Sequence, residues 1–409
     1  MFKYIILAIL AFNFIYDVVT SILSRSRKDM PLPENVRDVF DAEQYQKWRA
    51  YSAEKSKLAM IEGIVKFVIL LVLFGANVFS LVYNAMPGNE LVKSLLLMVV
   101  YSLAITAAST PFDYRSVFGI EEKYGFNKYT KKTFVGDIIK NLIIGNIVNC
   151  ALLLAAYFIC RNMDWTDYLI FVAIGCAFVI ILNLVVPLTQ RIFNKFTLLE
   201  QGELRDSLTE MFASEGYKLE NIYVMDASRR TTKVNAYCSG IGKMKRIVLF
   251  DNLVNNYTPG EIAAVFAHEL AHFKHRDTAA LTVMSMFNVT VIVSMISAFA
   301  LLPQISIDFG FDSANMAFAL IAIMSAVMTP ILRLVGLPVN AISRAFERRA
   351  DAFAVKKGYG EDMIAALKKL SKDNLVDLNP HPFIVATEYS HPTLGQRIDL
   401  VEKRISQGK

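Results

Sequence analysis

His268, Glu269 and His272, in "HELAH", have the residue types and spacing for hydrolytic metal chemistry. A helix sets residues i and i+4 on one face, about one turn apart, so both imidazoles can point at one ion while Glu269 leans beside it. Zinc takes nitrogen ligands of this kind, with a third ligand from another element and a position open to water. It lowers the pKa of that water from 15.7 toward about 7, and the glutamate can take its proton during attack on an amide. With 5 histidines in the whole chain, chance is a poor account of the motif. One zinc ion per chain is the expected cofactor.

The elements that must position these residues can also be read. Thr258 as N-cap, Pro259 at the first helical position and Glu261 three residues after Thr258 give a helix start with a capping box. The third ligand must come from elsewhere. The best candidate lies in "NAISRAFERRADAFAVKKG", helical from about Ala341 to Lys357 and stopped near Gly358. Glu347 and Asp351 share a face there. Glu347 would ligate the metal, and Asp351 could accept the free N–H of a ligating histidine. The alternative is that both carboxylates pair with Arg344, Arg348 or Arg349 on a solvated face. His275 is the rival ligand, although it sits at the helix end beside Lys274 and Arg276. His381, between two prolines, reads as a loop residue. His391, in "YSHPTLGQRI", could donate a hydrogen bond to a tetrahedral oxyanion, and Arg397 could hold the chain or the developing charge.

The rest of the chain is apolar. Of 409 residues, 54% are hydrophobic, and the apolar residues clump into seven runs near 4–23, 62–85, 93–109, 140–160, 168–188, 279–303 and 315–336, long enough to cross a ~30 Å hydrocarbon core as helix. The first is expected to be an uncleaved span, since no small-x-small site precedes "SRSRKDM". Cys150, Cys160, Cys176 and Cys238 include no CxxC pair, so neither a disulfide framework nor a thiolate zinc site is expected.

Loop charge orients the spans. Eight Lys or Arg lie between Arg25 and Lys57 and five more between Arg115 and Lys132, whereas "NAMPGNE", "RNMDWTD" and "QISIDFGFDSA" hold one among them. Basic loops stay on the cytoplasmic side, so the amino terminus is outside and both long polar pieces are inside. The expected organisation is a membrane domain at 1–188, the first half of a small α+β metalloprotease domain at 189–278, two spans at 279–336 and the second half at 337–409. Strands are expected at 222–226, 233–238 and 246–250, the last two joined as a hairpin by the Gly-rich "SGIGKMK". The net charge of +6 reflects topology and anionic lipid neighbours. No motif or basic stripe supports a nucleic-acid partner, and a monomer is the expected state.

Together, "GIEEKYGFNKYT", "PLTQRIFNKFTLLEQGELRDSL", "VNAYCSGIGKMKRIVLFDNLV", "HELAH", "SRAFERRADAFA" and "HPTLGQRI" resemble, in order and spacing, the type 1 CAAX prenyl proteases, membrane-embedded zinc metalloendopeptidases. The resemblance implies zinc ligands at His268, His272 and Glu347, Glu269 as general base, and Asn235, His391 and Arg397 near the substrate. It also implies seven tilted helices forming a barrel around a water-filled chamber. Such enzymes remove the last three residues of prenylated CAAX sequences, and some make a second, upstream cut. Asp17, Asn146, Asn149, Asn183, Asn288 and Arg333 interrupt the apolar runs, as helix contacts or as the wall of a chamber. The hairpin edge near Asn235 could take an extended peptide as an added strand.

Two other readings share the residues. One is a quality-control zinc protease without a prenyl requirement; the other, a non-catalytic scaffold, conflicts with the intact "HELAH" and Glu347. The ending "SQGK" lacks a dilysine retention signal, so an endoplasmic reticulum and a bacterial inner membrane are both expected possibilities.

Overall fold

A computed structural model describes residues 1–408 except 29, 161–163, 218–221 and 240–245. Among these, seven helices are long and apolar enough to cross a membrane. They lie in α1 (Phe2–Ser26), α2 (Ala42–Gly75), α4 (Glu90–Arg115), α5 (Lys131–Ile159), α6 (Trp165–Phe193), α10 (Asp277–Leu301) and the run from α12 (Met316–Ala322) into α13 (Met328–Lys356). Each helix lies beside the next in that order, and α13 returns to α1, so the spans close into a ring.

The middle of the ring is hollow. A solid bundle would bury the inner face of every helix, yet in the first six spans only 6% to 17% of the apolar window is buried. One end is plugged by α12, whose residues 317–322 are all buried. Phe318 there meets Phe309, Phe311, Phe79 and Phe74 with ring centroids 4.8 to 6.0 Å apart. The other end is capped by a separate core gathered around α9 (Pro259–Lys274).

Two span boundaries differ from expectation. The run 62–85 breaks at Asn77, which takes a left-handed φ of 56°, so α2 ends at Gly75 and α3 (Val78–Ala85) is a separate short helix. Conversely, the helix with Glu347 does not begin near Ala341. It is the continuation of the seventh span through α13, because Pro338 removes one backbone hydrogen bond without ending the helix.

The capping domain has a 4-stranded sheet in the order β1 (Phe196–Leu198), β2 (Ile222–Met225), β4 (Arg246–Phe250), β3 (Ala236–Ser239). β1 was not foreseen in the sequence; its three residues are too few to show a period. β3 and β4 pair antiparallel, as expected of the hairpin, and β2 and β4 pair parallel. The Gly-rich connection between β3 and β4 lies mostly outside the described residues. β3 starts three residues later than expected, since the preceding stretch bonds to side chains rather than to a strand.

Between α9 and α13 the chain crosses the ring twice, through α10 and back through α12–α13, so both ends return to the same side. Ser313, in the exposed turn before α12, and Ser406, at the end of α16 (Leu394–Ser406), therefore lie on opposite sides. In sealed vesicles from a background without native cysteines, an impermeant maleimide should label either Ser313→Cys or Ser406→Cys, and not both. Gly310 in the same turn is a poorer probe. Its φ is +85° and a Cβ there would sit 2.7 Å from Ser80 Oγ.

Candidate metal centre

α9 starts as its residues require. Thr258 Oγ1 accepts from Glu261 N–H at 3.2 Å, and Glu261 Oε2 accepts from Thr258 N–H at 2.8 Å. From Ile262 to His268 every residue is buried, so the helix is a rod inside the domain. It packs on α13, on α14 (Gly360–Asp373) and on β3. His268 and Glu347 are buried and His272 partly so.

One ligand atom from each of His268, His272 and Glu347 lies within 4.8 Å of the others. The two Nε2 atoms are 3.1 Å apart, and they stand 3.4 and 3.3 Å from the Glu347 oxygens. Each Nδ1 is already committed: that of His268 to Asp351 Oδ1 at 2.9 Å, that of His272 to Asp277 Oδ2 at 2.8 Å. With both Nδ1–H groups donating, both Nε2 lone pairs face one point. Glu347 Oε2 is buried and accepts no hydrogen bond among the described residues. Two lone pairs and a carboxylate oxygen converging in a buried place fit a divalent cation. Burial disfavours a charged His268 ring, yet the neighbouring Asp351 and Glu347 carboxylates carry its pKa up to about 9. The pocket favours positive charge at this point, a metal in competition with a proton.

Neither Arg344 nor Arg349 takes Glu347. Arg344 donates to the backbone oxygens of Val385 and Tyr389 at 3.0 and 2.6 Å, closing α15 (Pro382–Glu388) onto α13. Arg349 pairs with Asp277. His275 caps the end of α9, exposed and outside the metal group. His381 Nδ1 accepts from Phe383 N–H at 3.2 Å at the start of α15.

Arg397 lies behind the ligands. Its Nε and Nη2 donate to Asp351 at 2.9 and 2.6 Å, and Nη1 is 3.9 Å from Glu347 Oε2. Burial opposes its charge, but Asp351 outweighs that and holds the guanidinium protonated. His391 projects from the turn before α16, with Nε2 3.4 Å from Glu347 Oε1. Its side chain is 62% open to water, yet it stands in a concave place, a cleft of about 500 Å³ running past Arg397, Tyr389, Asp377 and Asn374. The crowding of that cleft pushes His391 below its ordinary range, with Glu347 opposing and Arg397 assisting. Ser390 Oγ and His391 Nδ1 share a hydrogen bond of 2.9 Å, and Nε2 faces the metal group. Glu269, half-buried on α9, is near enough for its charge to act on His272 and Arg397. Asn235 is exposed at the start of β3, where its Oδ1 accepts from Ala236 N–H at 2.9 Å.

Asp277 escaped the reading of the sequence. It follows Arg276, whose left-handed φ of 58° turns the chain from α9 into α10 and brings residue 277 back to His272. A carboxylate five residues after the second histidine is no helix-face spacing, so periodicity gave no signal for it.

Comparison with known proteins agrees with this geometry. Residues 21–195 match the family described as CAAX prenyl protease N-terminal, five membrane helices, and residues 198–405 match peptidase family M48. A CAAX prenyl protease 1 homolog of Arabidopsis thaliana is 34% identical across 91% of this chain and 90% of its own length. CAAX prenyl protease 1 of Saccharomyces cerevisiae is 30% identical across 91% and 88%. The crystal structure of S. mikatae Ste24p superposes with a TM-score of 0.89, at 27% identity, over 98% of this chain and 99% of that one. With a candidate metal group shared between α9 and α13 and matches along nearly its whole length, the chain belongs to peptidase family M48, as a multi-pass membrane metallopeptidase of the CAAX prenyl protease 1 type.

Proposed function

We propose that this chain is a zinc endopeptidase that cuts C-terminal CAAX-type sequences of prenylated proteins, releasing the terminal tripeptide on the cytoplasmic side. The observation that supports it most is the placement of the ligands. His268 and His272 stand beside Glu347 and Asp277, on the extensions of two ring helices, so a protease site opens at the mouth of a membrane-embedded chamber. Nitrogen and carboxylate ligands in a three-residue set suit zinc. The relatives named for CAAX processing supply the substrate class, and the basic loops on the side of the metal group support a cytoplasmic orientation.

Bound by His268, His272 and Glu347, zinc supplies Lewis acidity toward water and toward a peptide carbonyl. Glu269 takes a proton from the attacking water and returns it to the departing amine nitrogen as the C–N bond breaks. His391 donates Nε2–H to the oxygen on which charge develops. Asp351 and Asp277 hold the two imidazoles in the tautomer that leaves Nε2 free, and Arg397 holds Asp351. A peptide lies along the free edge of β3, near Asn235.

Matched prenylated and unprenylated CAAX peptides, with products mapped by mass spectrometry, test the assignment. Release of the tripeptide from the prenylated peptide is expected. Equal cutting of both would shift the reading to a quality-control protease, and no cutting of either would end it.

Glu269→Ala should keep its zinc and lose turnover, whereas Glu347→Ala should lose zinc itself; metal analysis beside a peptide assay separates the two. Asp277→Asn should weaken zinc retention against a chelator by about 10- to 100-fold, since the amide can no longer fix the His272 tautomer as a carboxylate does. For His391→Ala the expectation is a cleavage rate lower by ~10²–10³ with zinc retained. Unchanged kinetics would leave the imidazole only a structural part. In the labelling experiment, intact cells should expose Ser313→Cys and protect Ser406→Cys; the reverse would invert the orientation.

A further inference from the structure

The backbone just before β3 is held from two sides. In an antiparallel pair, one residue exchanges hydrogen bonds with the partner strand and the next points both its groups away. Asn235 O accepts from Phe250 N–H at 3.1 Å, and the register sets Ala236 opposite Leu249. The odd residues 235, 237 and 239 therefore face β4, while Ala236 and Cys238 present backbone N–H and C=O to the open edge. β3 is the edge strand of the sheet.

The alternation continues upstream, where side chains replace strands. Asn252, just after β4, donates to Thr231 O at 2.9 Å and Lys233 O at 3.2 Å, both odd. The even residue Val234 is taken on the open side. Its N–H donates to Asn374 Oδ1 at 3.0 Å, and its C=O accepts from Asn374 Nδ2 at 3.1 Å. One side-chain amide thus does for Val234 what a neighbouring strand would do. Asn374 ends α14 and lines the same cleft as His391 and Arg397.

We propose, resting on the reading of β3 as the docking edge of the peptide, that Asn374 is a register stop. By filling Val234 it leaves Ala236 and Cys238 as the bonding positions, so an extended peptide seats in one alignment and presents one bond to the metal group. Asn235 Oδ1 keeps the Ala236 N–H satisfied until a peptide carbonyl replaces it. Without the stop, Val234 becomes a further docking position. The peptide can then slip by two residues, the step that keeps its side chains on their own faces.

Asn374→Ala, and Asn374→Asp as an isosteric variant that keeps the acceptor but not the donor, test this in the full chain. The readouts are the position of the cut in a prenylated CAAX peptide, zinc content and thermal unfolding. Wild type should give one cut. Asn374→Ala should add a product displaced by two residues, because two recovered edge hydrogen bonds correspond to roughly a 10- to 30-fold change in register preference. Asn374→Asp should show a smaller share of the same product. If both variants bind zinc and cut only the wild-type bond, with losses confined to rate or unfolding temperature, the residue is structural and the register stop is wrong. If wild type itself makes no single cut, the docking reading fails first, which is a distinguishable result.

Discussion

One juxtaposition constrains the rest of the molecule: His268, His272 and Glu347 converge although two membrane crossings separate them in the chain. His268 and His272 ride on α9 and Glu347 on α13, and α10 and α12 lie between them in the chain. Only an even number of crossings returns Glu347 to the histidine side. The metal group and the topology are therefore one constraint. A rigid carrier is needed as well, because a ligand displaced by an ångström no longer shares an ion. α13 meets that need by running unbroken from inside the ring to Lys356, with Arg344 tying α15 to its flank.

The same economy governs the buried charges around the site. Each imidazole has its own carboxylate, and each carboxylate has its own arginine: Asp351 with Arg397, Asp277 with Arg349. Buried charge is costly unless paired, and here each pair also fixes a ring tautomer. Inside the ring, polar groups find partners across helices. Asn13 donates to Ala326 O at 2.9 Å, Asn146 to Ser102 Oγ at 3.2 Å, and Tyr101 and Ser325 share a hydrogen bond of 2.6 Å. Asp17 pairs with Arg333, whose guanidinium also lies 4.1 Å over the Tyr16 ring. These contacts hold helices to one another at single points, which suits walls around a hollow better than a packed bundle.

Much of this was legible because it obeys local rules. The capping box of α9, the i,i+4 histidines, and Glu347 and Asp351 on one face follow from helical geometry alone. Span number and order follow from length and charge. The illegible parts were set by tertiary contact. Asn77 breaks a run whose composition reads as one span, and α13 joins two segments that hydropathy separates. Asp277 reaches His272 through a left-handed residue that no period describes. Arg397 could be placed near the site by its motif, but only packing shows it behind Asp351 instead of in front of the metal group.

The late start of β3 joins these points. Lys233 and Val234 have strand composition, and the sequence reads them as strand. Their backbone groups are taken by the side chains of Asn252 and Asn374, so the pattern of a sheet persists where the sheet itself does not. Thr232 N–H in the same stretch donates to Phe126 O at 3.2 Å, and Lys128 N–H to Arg230 O at 2.9 Å, which ties the run before β3 to the loop between α4 and α5. That loop also carries Glu121, which accepts from Lys55 at 3.1 Å and from Tyr51 at 2.8 Å. The edge beside the metal group is thereby fastened to the wall of the ring. The run before β3 is thus tied through this loop to α2, so the capping domain is joined to the ring here as well as through α10 and α13.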